Sequence, residues 1–268
     1  TIDGHFAIVW EDFNDIASLS QDGSSEGILM RVVSAGGEEV GAETIVNTHV
    51  QKGQKDPTIT SLGDGNLFVA WISLQQDLAN AVDFGVYGQL MSKTGLPTGE
   101  EIHLNQEIYG DQKDVSCAAV SESTFMCAWT SVVLGLPTLG QDGNGAGIFG
   151  RMFSNDGNPV NDEFQVNVIS TSDQQNPDVF ALSNGDFGVA WEGKIDNDGF
   201  GVYARHFDTY GVPKSDDIQL NFLENFDQTS VDCTGLTRGH YVCAWTSWRG
   251  DAGTPTNAYA IKFRFFDH

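Results

Sequence analysis

Apolar residues are concentrated in five copies of one short segment, and each copy ends in tryptophan. The segments are apolar at nearly every position, whereas a strand with one solvated face would alternate apolar and polar residues. The pattern therefore predicts short β-strands covered on both faces. No stretch carries a sustained helical period, so an all-β fold is expected. The copies are FAIVW ending at Trp10, LFVAW at Trp71, FMCAW at Trp129, FGVAW at Trp191 and YVCAW at Trp245.

Polar residues recur with the same period as the tryptophans. In four copies an asparagine lies 24 residues before the next tryptophan, a glutamine follows it by 7 residues, and a glycine precedes it by 20. All length variation falls between a tryptophan and the next glycine, which predicts a variable loop there because packed strands tolerate insertions poorly. The recurring residues are Asn47, Asn105, Asn167 and Asn221, Gln54, Gln112, Gln174 and Gln228, and Gly27, Gly85, Gly147 and Gly201.

The repeat predicts four antiparallel strands in each copy, which we label a to d. Strand a follows the glutamine, b is the tryptophan segment, c follows the glycine and d ends at the asparagine. Such a unit, repeated at about sixty residues, is typical of a β-propeller blade. We interpret residues 1–268 as one repeat domain with copies at about 1–47, 48–105, 106–167, 168–221 and 222–268.

The strand count leaves two architectures open. Strands b and c occur five times but a and d only four times, which predicts a five-bladed propeller with two incomplete blades. The alternative is an open array of small sheets within a longer polymer. The chain begins at Thr1 rather than Met, so we expect a processed chain or a segment of a longer one.

The four cysteines replace apolar pairs of other copies. Ile59 with Val69, and Val179 with Val189, occupy the places that two copies give to cysteine. Residues facing each other across a hairpin are within disulfide reach. Free thiols or a metal site are the alternatives, but the spacing fits no common zinc pattern. We predict disulfides, and hence an extracellular or cell-surface location; the pairs are Cys117–Cys127 and Cys233–Cys243.

The chain is strongly acidic, with 37 acidic and 13 basic residues and a formal net charge of −24. Nucleic acid and anionic lipid would be repelled by this surface. The sequence contains no run of about eighteen apolar residues, so we expect no membrane insertion.

Two segments resemble a known tandem repeat. They are GIFGRMFSNDGNPVNDEFQVN, from Gly147 to Asn167, and QQNPDVFALSNGDFGVAW, from Gln174 to Trp191. They are similar to the GIYGQRF, EFQVNT and FVVAW phrases of repeats in large secreted and surface proteins of bacteria and some protists. The resemblance covers essentially the whole chain, although the first copy has Leu29 and Met30 where that family has aromatics. It implies an adhesin-like extracellular scaffold and carries over no catalytic residue.

The variable loops contain the candidate metal ligands. Asp196 and Asp198, in an Asp-Asn-Asp-Gly run, and Asp142 with Asn144 offer the oxygen ligands that calcium prefers. No loop shows the full twelve-residue calcium pattern, and a solvated polar turn explains the same residues. Calcium is therefore the one candidate ion, and no other cofactor is expected.

The remaining repeated residues favour structural roles. The asparagines and glutamines are expected to hydrogen-bond loop backbone. The arginines of strand c are expected to pair with carboxylates or stack on aromatic rings, and the tryptophans to lie in the core. The arginines are Arg31, Arg151, Arg205 and Arg264, with Gln89 in their place in the second copy.

These features predict an extracellular structural or adhesive module that self-associates into a surface fibre or joins neighbouring repeats. Without HExxH, GxSxG or phosphate-binding motifs, the chain is expected not to be an enzyme. The alternative is a lectin-like propeller with glycans as partners, in which Tyr87, Phe149 and Tyr203 stack on sugars.

Overall fold

The computed structural model describes residues 4–13, 26–77, 83–132, 141–194, 199–222, 226–248 and 259–267. These residues form eighteen β-strands in five antiparallel sheets. Within these ranges there is no α-helix, and the single helical turn is a 3₁₀ turn at Thr237–Gly239. None of the described helical residues forms a segment long and apolar enough to cross a membrane.

Each sheet follows the chain order, so that successive strands are neighbours. The first sheet is β1 (Phe6–Phe13), β2 (Glu26–Val33) and β3 (Thr44–Ile45). The second is β4 (Gln54–Ser61), β5 (Leu67–Leu74), β6 (Phe84–Met91) and β7 (Pro97–His103). The third is β8 (Asp111–Ala119), β9 (Thr124–Val132), β10 (Ala146–Ser154) and β11 (Phe164–Gln165). The fourth is β12 (Gln174–Ala181), β13 (Phe187–Gly193), β14 (Gly201–Phe207) and β15 (Ile218–Gln219). The fifth is β16 (Gln228–Gly235), β17 (Tyr241–Trp248) and β18 (Tyr259–Phe266).

This arrangement confirms the predicted all-β fold of tandem antiparallel sheets. In the second to fifth sheets each tryptophan segment is an inner strand, paired on one side with strand a and on the other with strand c. In the first sheet it is the outermost described strand and pairs with strand c. The register repeats: Trp71 faces Tyr87, and Trp191 faces Tyr203. Five sheets of this kind fit a β-propeller, in which each sheet is one blade.

The chain divides into two compact units. Unit 1 comprises residues 1–127 and 151–163, and unit 2 comprises residues 128–150 and 164–268. Each unit contains a core formed between two successive sheets, and the same residue positions build both cores.

In unit 1 the core lies between the first two sheets. We call the side of a sheet that carries its tryptophan the tryptophan face and the other side the opposite face. Met30 and Ile28 on the opposite face of the first sheet pack with Trp71 and Val69 on the tryptophan face of the second. A side chain at Gly88 would collide with the ring of Phe68, so this position requires glycine.

In unit 2 the core between the fourth and fifth sheets repeats this arrangement. Ala190 and Ala204, on the opposite face of the fourth sheet, belong to one cluster with Tyr241 and Trp245 on the tryptophan face of the fifth. Small residues on one face thus receive the aromatic rings of the next sheet. Both faces of β5, β9 and β13 are buried, as predicted. The prediction is wrong for the other two copies, because β17 alternates buried and partly exposed residues and β1 has Phe6 and Ile8 exposed.

The asparagines and glutamines bind backbone and each other, as expected. In the second sheet Asn105 Oδ1 accepts a hydrogen bond from Val86 N at 2.7 Å, and its Nδ2 donates to Glu107 O at 2.7 Å. The Asn167 side chain repeats both contacts and donates to Gln174 Oε1 at 3.0 Å. Buried amides need such partners, so these residues stabilise the link from strand d to the next strand a.

Carboxylates on or just before strand d tie one sheet to the one before it. Asp217 accepts hydrogen bonds from the backbone amides of Val168 and Ile169 at 2.8–3.0 Å. Glu101 accepts from His49 N at 2.9 Å in the same way. Burial raises the pKa of Asp217, against the hydrogen bonds from Ile169 and Val168, which lower it.

Both predicted disulfides are present. Cys117 bonds to Cys127 and Cys233 to Cys243, each pair bridging strands a and b at directly opposed positions. All four cysteines are buried, and none is free. Each disulfide thus closes one hairpin from within the core.

Replacing one disulfide by the valine pair of the fourth sheet should leave the fold intact. Val179 and Val189 already face each other at the matching positions. We expect the Cys233→Val, Cys243→Val double variant to lose about 2–3 kcal/mol of unfolding free energy, because the unfolded chain regains the freedom of a short loop. Urea unfolding measures this loss. Cys233→Val alone should cost more, since it leaves an unpaired thiol, and equal stability of wild type and double variant would contradict the prediction.

Candidate functional site

A polar cluster lies beside the variable loop of the second sheet. Asp77, whose side chain is only 7% exposed, accepts hydrogen bonds from the Tyr87 hydroxyl at 2.6 Å and from Asn105 Nδ2 at 3.0 Å. His103 stacks on Tyr87 with ring centroids 4.7 Å apart, and its Nε2 lies 3.2 Å from Asp77 Oδ1, close enough for an ion pair but not aligned for a hydrogen bond. Burial alone would raise the pKa of Asp77, but contacts with His103, Tyr87 and Asn105 hold it below its usual 3.8.

In the third sheet Asp142 takes the place that Asp77 has in the second. Phe149 stands there where the second sheet has Tyr87, so no tyrosine hydroxyl is available to Asp142. Like Asp77 over Gly85, the Asp142 carboxylate lies over the first glycine of strand c, Gly147. Its Oδ1 accepts from Asn144 N at 2.9 Å, and its Oδ2 is buried without an aligned donor among the described residues. Burial therefore raises the pKa of Asp142, although the Asn144 amide and the Asn167 side chain oppose the shift.

A second carboxylate position follows the tryptophans. In the fourth sheet both oxygens of Glu192 are used, since Oε1 accepts from Ser230 N at 2.7 Å and Oε2 from Gln175 Nε2 at 3.1 Å. In the first sheet the one donor to Glu11 among the described residues is the Asp56 amide, at 3.4 Å. Burial, with the charges of Asp56 and Glu26, raises the pKa of Glu11. These carboxylates act mainly as ties from strand b to the bulged strand a of the next sheet.

The most distinctive cavity lies in unit 2, between the end of the fourth sheet and the fifth. Its volume is about 210 Å³. The rings of Phe222 and Trp245 form apolar walls, and the side chains of Lys262 and Arg264 also line it. The other lining residues are Asn221, Gln228, Ser247 and Phe263. Aromatic walls with a few polar groups are typical of small-molecule sites.

Three contacts set the geometry of the cavity. Phe222 is 78% exposed, and the guanidinium carbon of Arg264 lies 3.7 Å from its ring centroid, a cation–π contact. Arg264 Nη1 also donates to Leu220 O at 3.2 Å. On the floor, Asn221 Nδ2 donates to Gln228 Oε1 at 2.8 Å, which fixes both amides. The cavity thus has an exposed aromatic lip and a rigid polar floor.

The predicted ligand positions do not come together at this cavity. Asp196 and Asp198 lie outside the described residues. Asp142 and Asn144 form a local turn, and no group of three or more His, Cys, Asp or Glu within the described ranges is arranged to hold a metal ion. Calcium binding stays a prediction.

The aromatic residues proposed to stack on sugars are core residues instead. Tyr87, Phe149 and Tyr203 are buried, because the strand c position opposite the tryptophan faces the neighbouring sheet. The arginines behave as expected: Arg31 pairs with Glu39 at 2.6 Å, and Arg205 stacks over Phe207.

Sequence reasoning missed Phe222 and Lys262. One departure from the repeat pointed to Lys262, since it occupies the position of Tyr87 and Tyr203 opposite a tryptophan. Phe222 follows Asn221 in a crossover whose other copies vary freely, so nothing in the sequence distinguished it.

Comparison with known proteins finds similarity in fold alone. No family model matches the chain, and no curated protein matches it in sequence. A protein of unknown function from Dyadobacter fermentans superposes with a TM-score of 0.60 at 12% identity, over 98% of this chain and 76% of its own. The α-L-arabinanase of Penicillium chrysogenum, solved with arabinobiose, gives 0.60 at 17%, over 89% and 71%. The α-L-arabinofuranosidase of Fusarium graminearum, also solved with arabinobiose, gives 0.54 at 12%, over 88% and 72%.

These similarities correct one expectation. The chain was expected not to be an enzyme because it lacks familiar catalytic motifs, but its fold is one that glycoside hydrolases use. Glycoside hydrolysis needs two carboxylates that meet in space, and they need no local sequence motif. Missing motifs therefore could not exclude carbohydrate chemistry.

Asp77 and Asp142 should respond to pH with opposite signs. Because the pKa of Asp77 is lowered on folding, its ionised form stabilises the protein above about pH 3.8 and that contribution is lost as the pH falls below this value. Because the pKa of Asp142 is raised, its ionised form destabilises the protein, and the penalty disappears on acidification. We expect Asp77→Asn to lower the unfolding free energy at neutral pH and Asp142→Asn to raise it.

Urea unfolding from neutral pH to below pH 3.8 measures both effects, and each variant serves as the control for the other. The Asp142→Asn curve should converge on wild type as the pH falls towards 3.8, whereas the Asp77→Asn curve should converge only below pH 3.8. Shifts of the same sign in both variants would contradict the assigned environments.

Proposed function

We propose that this protein is a secreted carbohydrate-active β-propeller protein whose fifth sheet binds a saccharide. The main support for this proposal is the cavity of the fifth sheet, which combines aromatic walls with a polar floor. Two proteins that share the fold were solved with arabinobiose, which supports a saccharide as the ligand class. The two disulfides support an oxidising, extracellular location.

The lining suits a sugar ring. A pyranose or furanose has an apolar C–H face and a rim of hydroxyl groups, so it needs a flat apolar wall and polar partners at the edge. Phe222 and Trp245 supply the wall, while Ser247 and Lys262 supply polar groups. Because the volume of about 210 Å³ is below the ~300–1,000 Å³ of sites for drug-sized ligands, the cavity fits a single sugar residue of a longer chain.

The exposed lip of the cavity should contribute directly to binding. We expect Phe222→Ala to weaken saccharide binding about tenfold or more without loss of stability, since Phe222 is largely exposed. Phe265→Ala is the matched control, because Phe265 is a similarly exposed phenylalanine that does not line the cavity. A glycan array that includes arabinan fragments identifies the ligand, and calorimetry on the best ligand gives the affinities.

Binding by wild type to no saccharide on the array would contradict the proposal, as would equal losses in the two variants. Release of reducing ends from the bound saccharides, measured on the same samples, tests hydrolysis.

Self-association is a second candidate function, and it is favoured by two exposed apolar faces. Tyr259, Ile261, Phe263 and Phe265 stand on the opposite face of β18 and are 65–72% exposed. Phe6 and Ile8, on the tryptophan face of the first sheet, are 62% and 50% exposed. Contiguous exposed apolar residues of this kind usually mark an interaction site.

The partner that fits these faces is a second copy of this chain. Within each unit an opposite face is covered by the tryptophan face of the following sheet. The exposed face of β18 is an opposite face and that of β1 is a tryptophan face, so two copies can repeat the packing that the protein already uses. A head-to-tail contact of this type propagates into a fibre unless it closes.

A charge in the exposed apolar row should prevent this association. We expect light scattering of wild type to show a mass that rises with protein concentration, and Ile261→Asp to remain monomeric because burying its carboxylate is costly. Tyr210→Asp is the control, since Tyr210 is equally exposed but lies in a turn of the fourth sheet. A wild type that stays monomeric at every concentration would overturn this second candidate.

A further inference from the structure

We propose that the cavity of the fifth sheet selects an acidic saccharide, one that carries a carboxylate or a sulfate, and that Arg264 binds the anionic group. This inference rests on the proposed saccharide-binding function and names its ligand class. It derives from how Arg264 and Lys262 depart from the repeat.

Arg264 differs from Arg31 and Arg205 in its partners. Arg31 has two carboxylates, Glu39 at 2.6 Å and Glu43 at 3.2 Å. Arg205 donates to Ser215 O at 2.9 Å and to Val166 O at 2.8 Å, and its charge opposes the rise in the pKa of Asp217. Among the described residues Arg264 contacts only Leu220 O and the rings of Phe222 and Phe266, with no carboxylate in ion-pair range.

The backbone acceptors of the two arginines also differ. In the fourth sheet the backbone that accepts the Arg205 Nε hydrogen bond leads into strand d. Among the described residues the backbone acceptor of Arg264 is Leu220 O, bound through Nη1. The guanidinium instead stacks on Phe222 at the mouth of the cavity. A stacked guanidinium keeps its in-plane N–H groups for a carboxylate or sulfate, which it can bind with two parallel hydrogen bonds.

Lys262 adds a second cation where the repeat has an aromatic ring. It faces Trp245 in the register in which Tyr87 faces Trp71 and Tyr203 faces Trp191. Lys262 and Arg264 both line the same small cavity. With only 13 basic residues in the chain, two cations at one cavity of this size form a local exception to the surrounding charge.

The net charge of −24 does not cancel this preference. Charges further away than about 8–10 Å are screened at physiological ionic strength, so the groups in contact with the ligand decide its affinity. The distant carboxylates slow the approach of an anion and leave the contact energy in the cavity largely unchanged.

The test compares a saccharide with its own neutral form. Wild type is titrated with a galacturonic acid oligosaccharide and with the methyl ester of the same oligosaccharide, and with a sulfated oligosaccharide and its desulfated form. We expect at least one acidic form to bind about tenfold or more tightly than its neutral counterpart, and this difference to shrink at high ionic strength. The two pairs distinguish carboxylate from sulfate as the recognised group.

Variants that introduce residues from other copies of the repeat test which side chains cause the preference for the acidic saccharide. Arg264→Gln introduces the residue that Gln89 provides at this position, and Lys262→Tyr introduces the residue of Tyr87 and Tyr203. Each should reduce the preference for the acidic form, and Arg264→Gln should abolish it. Arg205→Gln is the matched control, because it removes an arginine from the same position of the fourth sheet and should bind like wild type. Thermal unfolding verifies that each variant is folded.

Failure of this inference and failure of the proposed function give different results in these experiments. Equal binding of acidic and neutral forms by wild type would overturn this inference and leave saccharide binding standing. An unchanged preference in both Arg264→Gln and Lys262→Tyr would overturn the assignment to these residues. Binding of none of these saccharides, together with a blank array, would remove the proposed function as well.

Discussion

The structure depends on one packing contact, in which the tryptophan face of a sheet covers the opposite face of the sheet before it. Trp71 packs in this way against the first sheet, and Trp245 against the fourth. Small residues such as Ala190 and Ala204 allow the approach, because they leave room for the rings of Tyr241 and Trp245. Since one short unit supplies both faces, repeating the sequence repeats the contact, and each core forms between two sheets rather than within one.

The same repetition explains why so many buried polar residues are engaged in structural hydrogen bonds. Asn167, Gln174, Asp217 and Glu192 each satisfy backbone amides or one another at the joints between strands and sheets. An unsatisfied amide in such a joint would cost about 1–3 kcal/mol, so every copy keeps its own set of partners. Binding groups are therefore best sought where a copy departs from the repeat.

Two departures from the repeat show that a few substitutions are enough to change the environment of a charged side chain. Contacts with His103 and the Tyr87 hydroxyl lower the pKa of Asp77, whereas the third sheet has Gln165 and Phe149 at these positions and burial leaves Asp142 with a raised pKa. In the fifth sheet, Lys262 replaces an aromatic ring, and Arg264 stacks on the exposed ring of Phe222. The outcome is a cavity with two cations in an otherwise acidic protein.

The sequence by itself determined the strands, their order, the pairing of the cysteines and the structural use of Asn105 and Gln174. These follow from spacing along the chain, because strand pairs joined by short turns have a register that local sequence specifies. Only the tertiary structure decided which side chains meet at the cavity and which aromatics are buried. Arg264 lies in the fifth sheet and Phe222 in the crossover that follows the fourth, and the burial of Tyr87 depends on the sheet that covers it. Their environments are set by packing between repeats, and the sequence of one repeat does not specify which side chains of the next repeat will contact it.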